Sequence, residues 1–236
     1  MSQSTVYRNI PRPDPTLIEL LRGIPVADLH DEMDPIDRRQ RLMDPVMKPL
    51  LPGKAFVGPA VTAYCTPGDN LMMHAALFLA QRGDVVVVAN GGVAHGAVWG
   101  GNATTQALRR GVAALVADAP VRDIAQVRAG DFGVWATIHS VTKPGKENPG
   151  YVNMPLMCAG VLVQPGDIVV GDEDGVITID PRDAERLARA ALARIERDKV
   201  MQQKIAGGST LFEELDGFEQ LKKVGARVID GHWTSN

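Results

Sequence analysis

Apolar and polar positions change period several times along the chain. Thr16 to Leu21 and Pro25 to Met33 carry short helical patterns, and the second holds a polar cluster of His30, Asp31, Glu32 and Asp34. Ala60 to Cys65 has the pattern of a strand, followed by a turn at Thr66-Pro67-Gly68-Asp69; Asn70 to Ala80 then has apolar residues at helical spacing that stop before Gly83. Asp84 to Ala89 reads DVVVVA, a continuous β-branched run expected of a strand covered on both faces. A loop from Asn90 to Gly101, a helix around Ala103 to Arg110 and an apolar strand at Val112 to Ala117 complete a strand-loop-helix-strand unit. Such units make right-handed crossovers between parallel strands, so the segments after the two strands, Gly91 to Asn102 and Asp118 to Asp123, are expected to face one crevice, where ligands of open α/β sheets bind.

Further along, Val134 to His139 reads as another strand, Gly150 to Asn153 precedes an apolar stretch at Met157 to Val163, and Pro165 to Asp180 reads as a β-hairpin turning at Asp172 to Gly175. Asp180-Pro181 opens a long helix, Arg182 to Lys204, with a narrow apolar stripe at Leu187, Ala191, Ile195 and Val200 that suits a neighbouring subunit as well as its own core. Thr210 to Lys223 reads as a shorter helix. The expected organisation is an N-terminal arm over residues 1–15, one α/β domain over 16–225 with flanking helices, and a tail over 226–236.

Composition narrows the function. The 236 residues are 45% hydrophobic and 22% charged, with a net charge of -3. No apolar run is long enough to span a bilayer, no Lys/Arg stripe suggests nucleic acid, and the N-terminus lacks a secretory pattern, so a cytoplasmic protein with a small-molecule or protein partner is expected. Cys65 and Cys158 lie far apart without a CxxC or a nearby His, which argues for reduced core thiols over structural zinc. The DEDG at Asp172 resembles the start of a calcium loop, but its twelfth position falls on Asp183 at a helix start and not on the bidentate glutamate such a loop needs.

Candidate chemistry gathers in HGAVWGGNATTQALRRG, residues 95–111. A glycine-rich loop entering a helix either makes a tight turn or presents backbone N-H groups and a positive dipole end to an anion. No lysine stands at the P-loop position and GxGxxG does not fit, so a carboxylate suits better than a nucleotide. DAPVRD places Arg122 and Asp123 just past a strand. Arg clamps carboxylates and stabilises enolates, and a lone Asp with waters is a common magnesium ligand, so the set suggests an enzyme acting on a 2-oxo acid. His95 is a candidate substrate contact, His74 a structural histidine or a catalyst, the His30, Asp31, Glu32 cluster a surface patch or a group acting across an interface, and Trp99 a pocket wall or a core anchor.

PGDNLMMHAAL, VWGGNATTQALRRGVAALVADAPVRDI and VNMPLMCAGVLVQPGDIVVGDEDGVITI resemble the class II pyruvate aldolases acting on 4-hydroxy-4-methyl-2-oxoglutarate and 4-carboxy-4-hydroxy-2-oxoadipate, whose superfamily includes the regulator of ribonuclease activity A. The likeness spans roughly residues 7 to 225, and WGG followed about twenty residues later by VRD is its most specific part. It implies an α/β fold of the swivelling β/β/α type, trimers often paired into hexamers, and an active site at the subunit boundary. By position, the Gly100, Gly101, Asn102, Ala103 segment would receive the pyruvoyl carboxylate, Arg122 would bind carboxylate and keto oxygen, and Asp123 would hold Mg²⁺ or Mn²⁺. The implied reaction is retro-aldol release of pyruvate, with oxaloacetate decarboxylation as a side activity. Gly101 replaces the family's usual acid, and Asp31 and Asp198 align with two glutamates supplied by a neighbouring subunit, each shorter by about 1.5 Å. A ribonuclease-regulator-like binding protein and a different enolate-forming enzyme, a decarboxylase or hydratase, are the alternatives; Asp123 favours an enzyme.

Overall fold

The computed structural model of the chain describes residues 4–234, in two compact units that meet in sequence between Ala191 and Leu192. In chain order the strands of the first unit are β1 (Thr5–Val6), β2 (Lys48–Pro49), β3 (Phe56–Cys65), β4 (Val85–Ala89), β5 (Ala114–Val121), β6 (Val134–His139), β7 (Gly150–Val152), β8 (Leu156–Cys158), β9 (Val161–Val163), β10 (Ile168–Gly171) and β11 (Val176–Ile179). Its helices are α1 (Pro15–Leu21), α2 (Val26–Asp31), α3 (Asp37–Gln40), α4 (Leu71–Leu79), α5 (Gly101–Arg110) and α6 (Ile124–Ala129), and α7 (Ala184–Ala206) begins in it.

The main sheet runs β1-β7-β3-β4-β5-β6-β2, and the β10–β11 hairpin joins it through β3. Strands β3, β4, β5 and β6 are mutually parallel, as the strand-loop-helix-strand pattern requires. The valine run explains itself in the packing. Val86 and Val88 point into one core with Met73, Leu77 and Ala107, whereas Val85 and Val87 point into another with Trp135 and Leu156. Each buried valine is worth about 1.5–3 kcal/mol, and a polar residue at either parity would face a core. Helix α5 ends where Gly111 takes a left-handed conformation (φ 71°), which its missing Cβ permits.

Several expectations need correction. β3 begins at Phe56, not Ala60, because Phe56 to Pro59 pair with β10. β5 runs from Ala114 to Val121, so Asp118 to Val121 are strand and not loop; the ladder to β6 shifts register between Ala117 and Pro120, an irregularity that accommodates a proline without an N-H. The apolar stretch at Met157 to Val163 belongs to a two-stranded hairpin, β8–β9, which starts at Leu156 and turns through Ala159 and Gly160, both at positive φ. The hairpin at Asp172 to Gly175 is as expected, its turn closed by Asp172 Oδ1 accepting from the Asp174 N-H at 2.9 Å. The arm is tied down: β1 pairs with β7, Ile10 is buried, and Arg12 binds Asp84.

The second unit holds the later turns of α7 with α8 (Leu211–Glu214) and α9 (Gly217–Lys223). The single helix expected over Thr210 to Lys223 is therefore two, broken at Asp216 (φ 51°), and Thr210 caps the first with a reciprocal bond to Glu213. Among the described residues no helix is long and apolar enough to cross a membrane.

Candidate active site

The crevice lies past the carboxyl ends of β4 and β5. Trp99 sets its geometry from below. Its ring is buried against Phe132, at a centroid distance of 5.8 Å, and its Nε1-H donates to Thr104 Oγ1 at 2.9 Å, so it anchors the loop in the core. Its carbonyl accepts from the Arg122 N-H at 3.0 Å, clipping the glycine loop to the end of β5. The two loops thus meet, as the crossover argument expects.

Gly100 follows in extended conformation and starts α5. A Cβ there would lie 2.5 Å from Asp123 Oδ2, so the absence of a side chain lets the carboxylate approach the helix start. Asp123 takes a left-handed conformation (φ 57°), a strained choice for a residue with a side chain. Its Oδ2 accepts from the Gly101 N-H at 3.1 Å and lies 3.7 Å from Arg122 Nε. The next two N-H groups, of Asn102 and Ala103, have no partner among the described residues, while that of Thr104 returns to the Gly100 carbonyl. Two donors at the positive end of a helix therefore stand free beside a guanidinium.

These groups line a cavity of about 260 Å³. Its other walls come from α4, through Asn70, Met73 and His74, and from the loop after β6, through Lys143, Pro144 and Lys146. Three cationic side chains against one carboxylate give the lining a net positive charge, which suits an anion with more than one charge. His74 is half buried; burial first, then repulsion by Lys146, lowers its pKa, with partial opposition from Asp69. Asn70 Oδ1 is buried without a protein partner. Neither the lysines nor Asn70 emerged from the sequence reading. The signal was available, because a third parallel strand, Val134 to His139, delivers its following loop KPGK to the same sheet edge.

The remaining candidates lie elsewhere. His95 is exposed outside the cavity lining, with its ring packed on Gly68. His30 Nε2 bonds the Arg38 carbonyl at 2.9 Å, and exposed Asp31 ends α2 with its own carbonyl bonded to Arg38. Asp198 belongs to the second unit, 3.6 Å from Arg194 Nε on α7. Cys65 and Cys158 are buried and unpaired, and burial pushes the Cys65 thiol up to about 12. Among the described residues no three His, Cys, Asp or Glu converge as a metal cage. Asp123 alone, half exposed and with Oδ1 facing no protein donor among the described residues, fits an ion that keeps most of its waters and takes one carboxylate from the protein, which is the habit of Mg²⁺.

The Aldolase/RraA family profile matches residues 26–178. A protein of Halalkalibacterium halodurans provisionally named 4-hydroxy-4-methyl-2-oxoglutarate aldolase is 31% identical over 189 residues, covering 80% of this chain and 88% of that one. A Cupriavidus necator protein with the same provisional name is 31% identical over 157 residues, covering 66% of this chain and 94% of its own. The solved structure of Streptomyces coelicolor RraAS2, described as an unusual member of the RNase ES inhibitor RraA protein family, matches with TM-score 0.74 and 26% identity over 82% of this chain and 99% of its own.

Proposed function

The chain belongs to the RraA-like, Aldolase/RraA family, and on that premise we propose that it is a divalent-metal-dependent carbon-carbon lyase releasing pyruvate from a 4-hydroxy-2-oxo diacid. The observation that carries this reading is the convergence of two free helix-start N-H groups, the Arg122 guanidinium and the Asp123 carboxylate in one cationic cavity. Relatives provisionally named as aldolases support it.

In this reading the N-H groups of Asn102 and Ala103 receive the pyruvoyl carboxylate. Arg122 lies against that carboxylate and the 2-keto oxygen, and Lys143 and Lys146 face the distal carboxylate. Asp123 would hold Mg²⁺ or Mn²⁺, which supplies Lewis acidity toward the developing enolate. A base takes the C4 hydroxyl proton, the C4 oxygen becomes a carbonyl as the C3-C4 bond breaks, and the bond pair enters the pyruvate enolate whose charge Arg122 offsets. Protonation at C3 then gives pyruvate. We place the proton acceptor at His74, which faces the cavity and whose lowered pKa keeps it uncharged at neutral pH. Oxaloacetate decarboxylation passes through the same enolate. A homotrimer or hexamer would bring Asp31 and Asp198 from a neighbouring subunit.

Purified protein with Mg²⁺ is expected to release pyruvate from 4-hydroxy-2-oxo diacids, and to lose this on chelation or in Asp123→Ala. Metal binding without turnover of any such acid or of oxaloacetate overturns the assignment. Likeness to the Streptomyces RNase ES inhibitor family member favours one other reading, a regulator acting by protein contact. Capture of ribonuclease E by a protein inert toward oxo acids would select it.

A further inference from the structure

Asp69 does not line the cavity, yet the loop carrying Lys143 and Lys146 is fastened to it. The residue is 1% exposed. Its Oδ1 accepts from the Leu71 N-H at 2.8 Å, and its Oδ2 accepts from the N-H groups of Glu147 at 2.6 Å and Asn148 at 3.0 Å and from Asn148 Nδ2 at 3.4 Å. The main chain reinforces the join: the Gly145 N-H donates to the Gly68 carbonyl at 2.7 Å, and the Asn70 N-H donates to the Gly145 carbonyl at 3.2 Å. On its outer side the loop faces solvent: Val141, Lys143 and residues 145–149 are exposed.

The consequence follows from the cost of burial. A carboxylate removed from water must keep its donors, and releasing the loop would strip Asp69 of the Glu147 and Asn148 groups together. Burial alone would raise the Asp69 pKa; the bonds from Leu71, Asn148 and Glu147 outweigh it and hold the group below the ordinary carboxylate value, so it is ionised at neutral pH. The same residue begins the turn into α4, which presents Asn70 and His74 to the cavity. One buried charge therefore registers two walls of the site against each other.

We propose that Asp69 is a positioning residue for substrate charge: by clamping residues 145–148 it keeps Lys143 and Lys146 at the cavity, and so sets the preference for a dianionic over a monoanionic ligand. This rests on the diacid lyase reading for its substrate and on the structure alone for its clamp, and the two parts are tested separately.

The clamp is tested without substrate. In Asp69→Asn an amide NH₂ faces donors, and trypsin is expected to cut after Lys146 at a protease level that leaves the parent chain whole. In the parent chain the Glu147 and Asn148 amides are expected to exchange slowly for an exposed loop. Fast exchange of both amides overturns the clamp even where Asp69→Asn fails to fold, and so does an uncut folded variant. The functional half is read from binding of the two charges: in folded Asp69→Asn the KM for a 4-hydroxy-2-oxo diacid should rise about tenfold, while the inhibition constant of pyruvate stays within about twofold. An equal rise in both constants, or an unmoved diacid KM with the loop released, overturns the positioning role. A parent chain that turns over no diacid sinks the lyase reading and with it the specificity role, and leaves the clamp to be judged by proteolysis and exchange.

Discussion

The carboxamide of Gln126 occupies the space that a side chain on Gly101 would need. A Cβ at residue 101 would lie 2.1 Å from Gln126 Oε1 and 2.6 Å from Nε2, and Gln126 is the third residue of the helix that Asp123 caps. The place that the resemblance to the aldolases gives to an acid is thus not empty, because a neutral side chain from the next helix covers it beside Asp123. Gly101→Ala is expected to displace Gln126 and cost about 1 kcal/mol, while Gly101→Ala in a Gln126→Ala background is expected to cost little. Urea unfolding of the four proteins of the cycle checks this. Additive losses would show that the two positions are not coupled.

Gly100 makes the sharper demand. A Cβ there would meet Asp123 Oδ2 at 2.5 Å and Arg122 Cγ at 3.3 Å, so Gly100→Ala must move the carboxylate away from the Gly101 N-H. Displacement of a reacting or metal-holding group by about 1 Å costs on the order of 100-fold in rate. Gly100→Ala should therefore lose pyruvate release and Mn²⁺ binding, read by electron paramagnetic resonance, with little change in melting. Normal Mn²⁺ affinity in this variant would remove Asp123 from the metal site.

The contrast between these glycines shows what was legible in the chain. Arg122, Asp123 and the start of α5 are placed by one local motif and one crossover rule, both visible as pattern. Lys143 and Lys146 enter the cavity through a third strand and a loop whose path depends on the buried Asp69, and no periodicity marks such a contact. Gln126 escaped notice for a related reason. Helix α6 has six residues and one buried side chain, Val127, too little apolar signal to be read as a helix. The extension of β5 through Asp118 and Pro120 was hidden because tertiary pairing with β6 overrides residue preferences that favour a loop.

His74 links the cavity to pH. Its pKa is lowered by burial and then by Lys146, so it is neutral above a value below 6.5 and gains a proton only under more acid conditions. The unfolded chain binds that proton first, so this group makes stability rise with pH through the window between the two values. If His74 accepts the hydroxyl proton, kcat/KM falls on the acid side with a midpoint below 6.5, and His74→Gln abolishes that limb. Lys146→Met removes the repulsion and should move the His74 imidazole titration, followed by NMR, toward higher pH. An acid limb that survives in His74→Gln assigns the base elsewhere.

Stability, finally, should depend on the arm more than its length suggests. Arg12 grips Asp84 through both terminal nitrogens, at 2.7 and 3.0 Å, and Asp84 is wholly buried where it also accepts from the Gln81 N-H at 2.7 Å. Asp84 opens the valine strand, and its carbonyl accepts from the Ala113 N-H ahead of β5. Arg12→Ala leaves a buried carboxylate with one donor, and with the guanidinium side chain 35% exposed the loss is expected at about 2–3 kcal/mol, below that of a fully buried pair. Arg12→Lys keeps the charge but not the paired geometry, and should recover about half of it. Because Arg12 does not touch the cavity, kcat and KM below the melting transition should be unchanged in both variants. A change in KM without a change in unfolding midpoint would mean that the arm reaches the site by some route other than the Asp84 anchor.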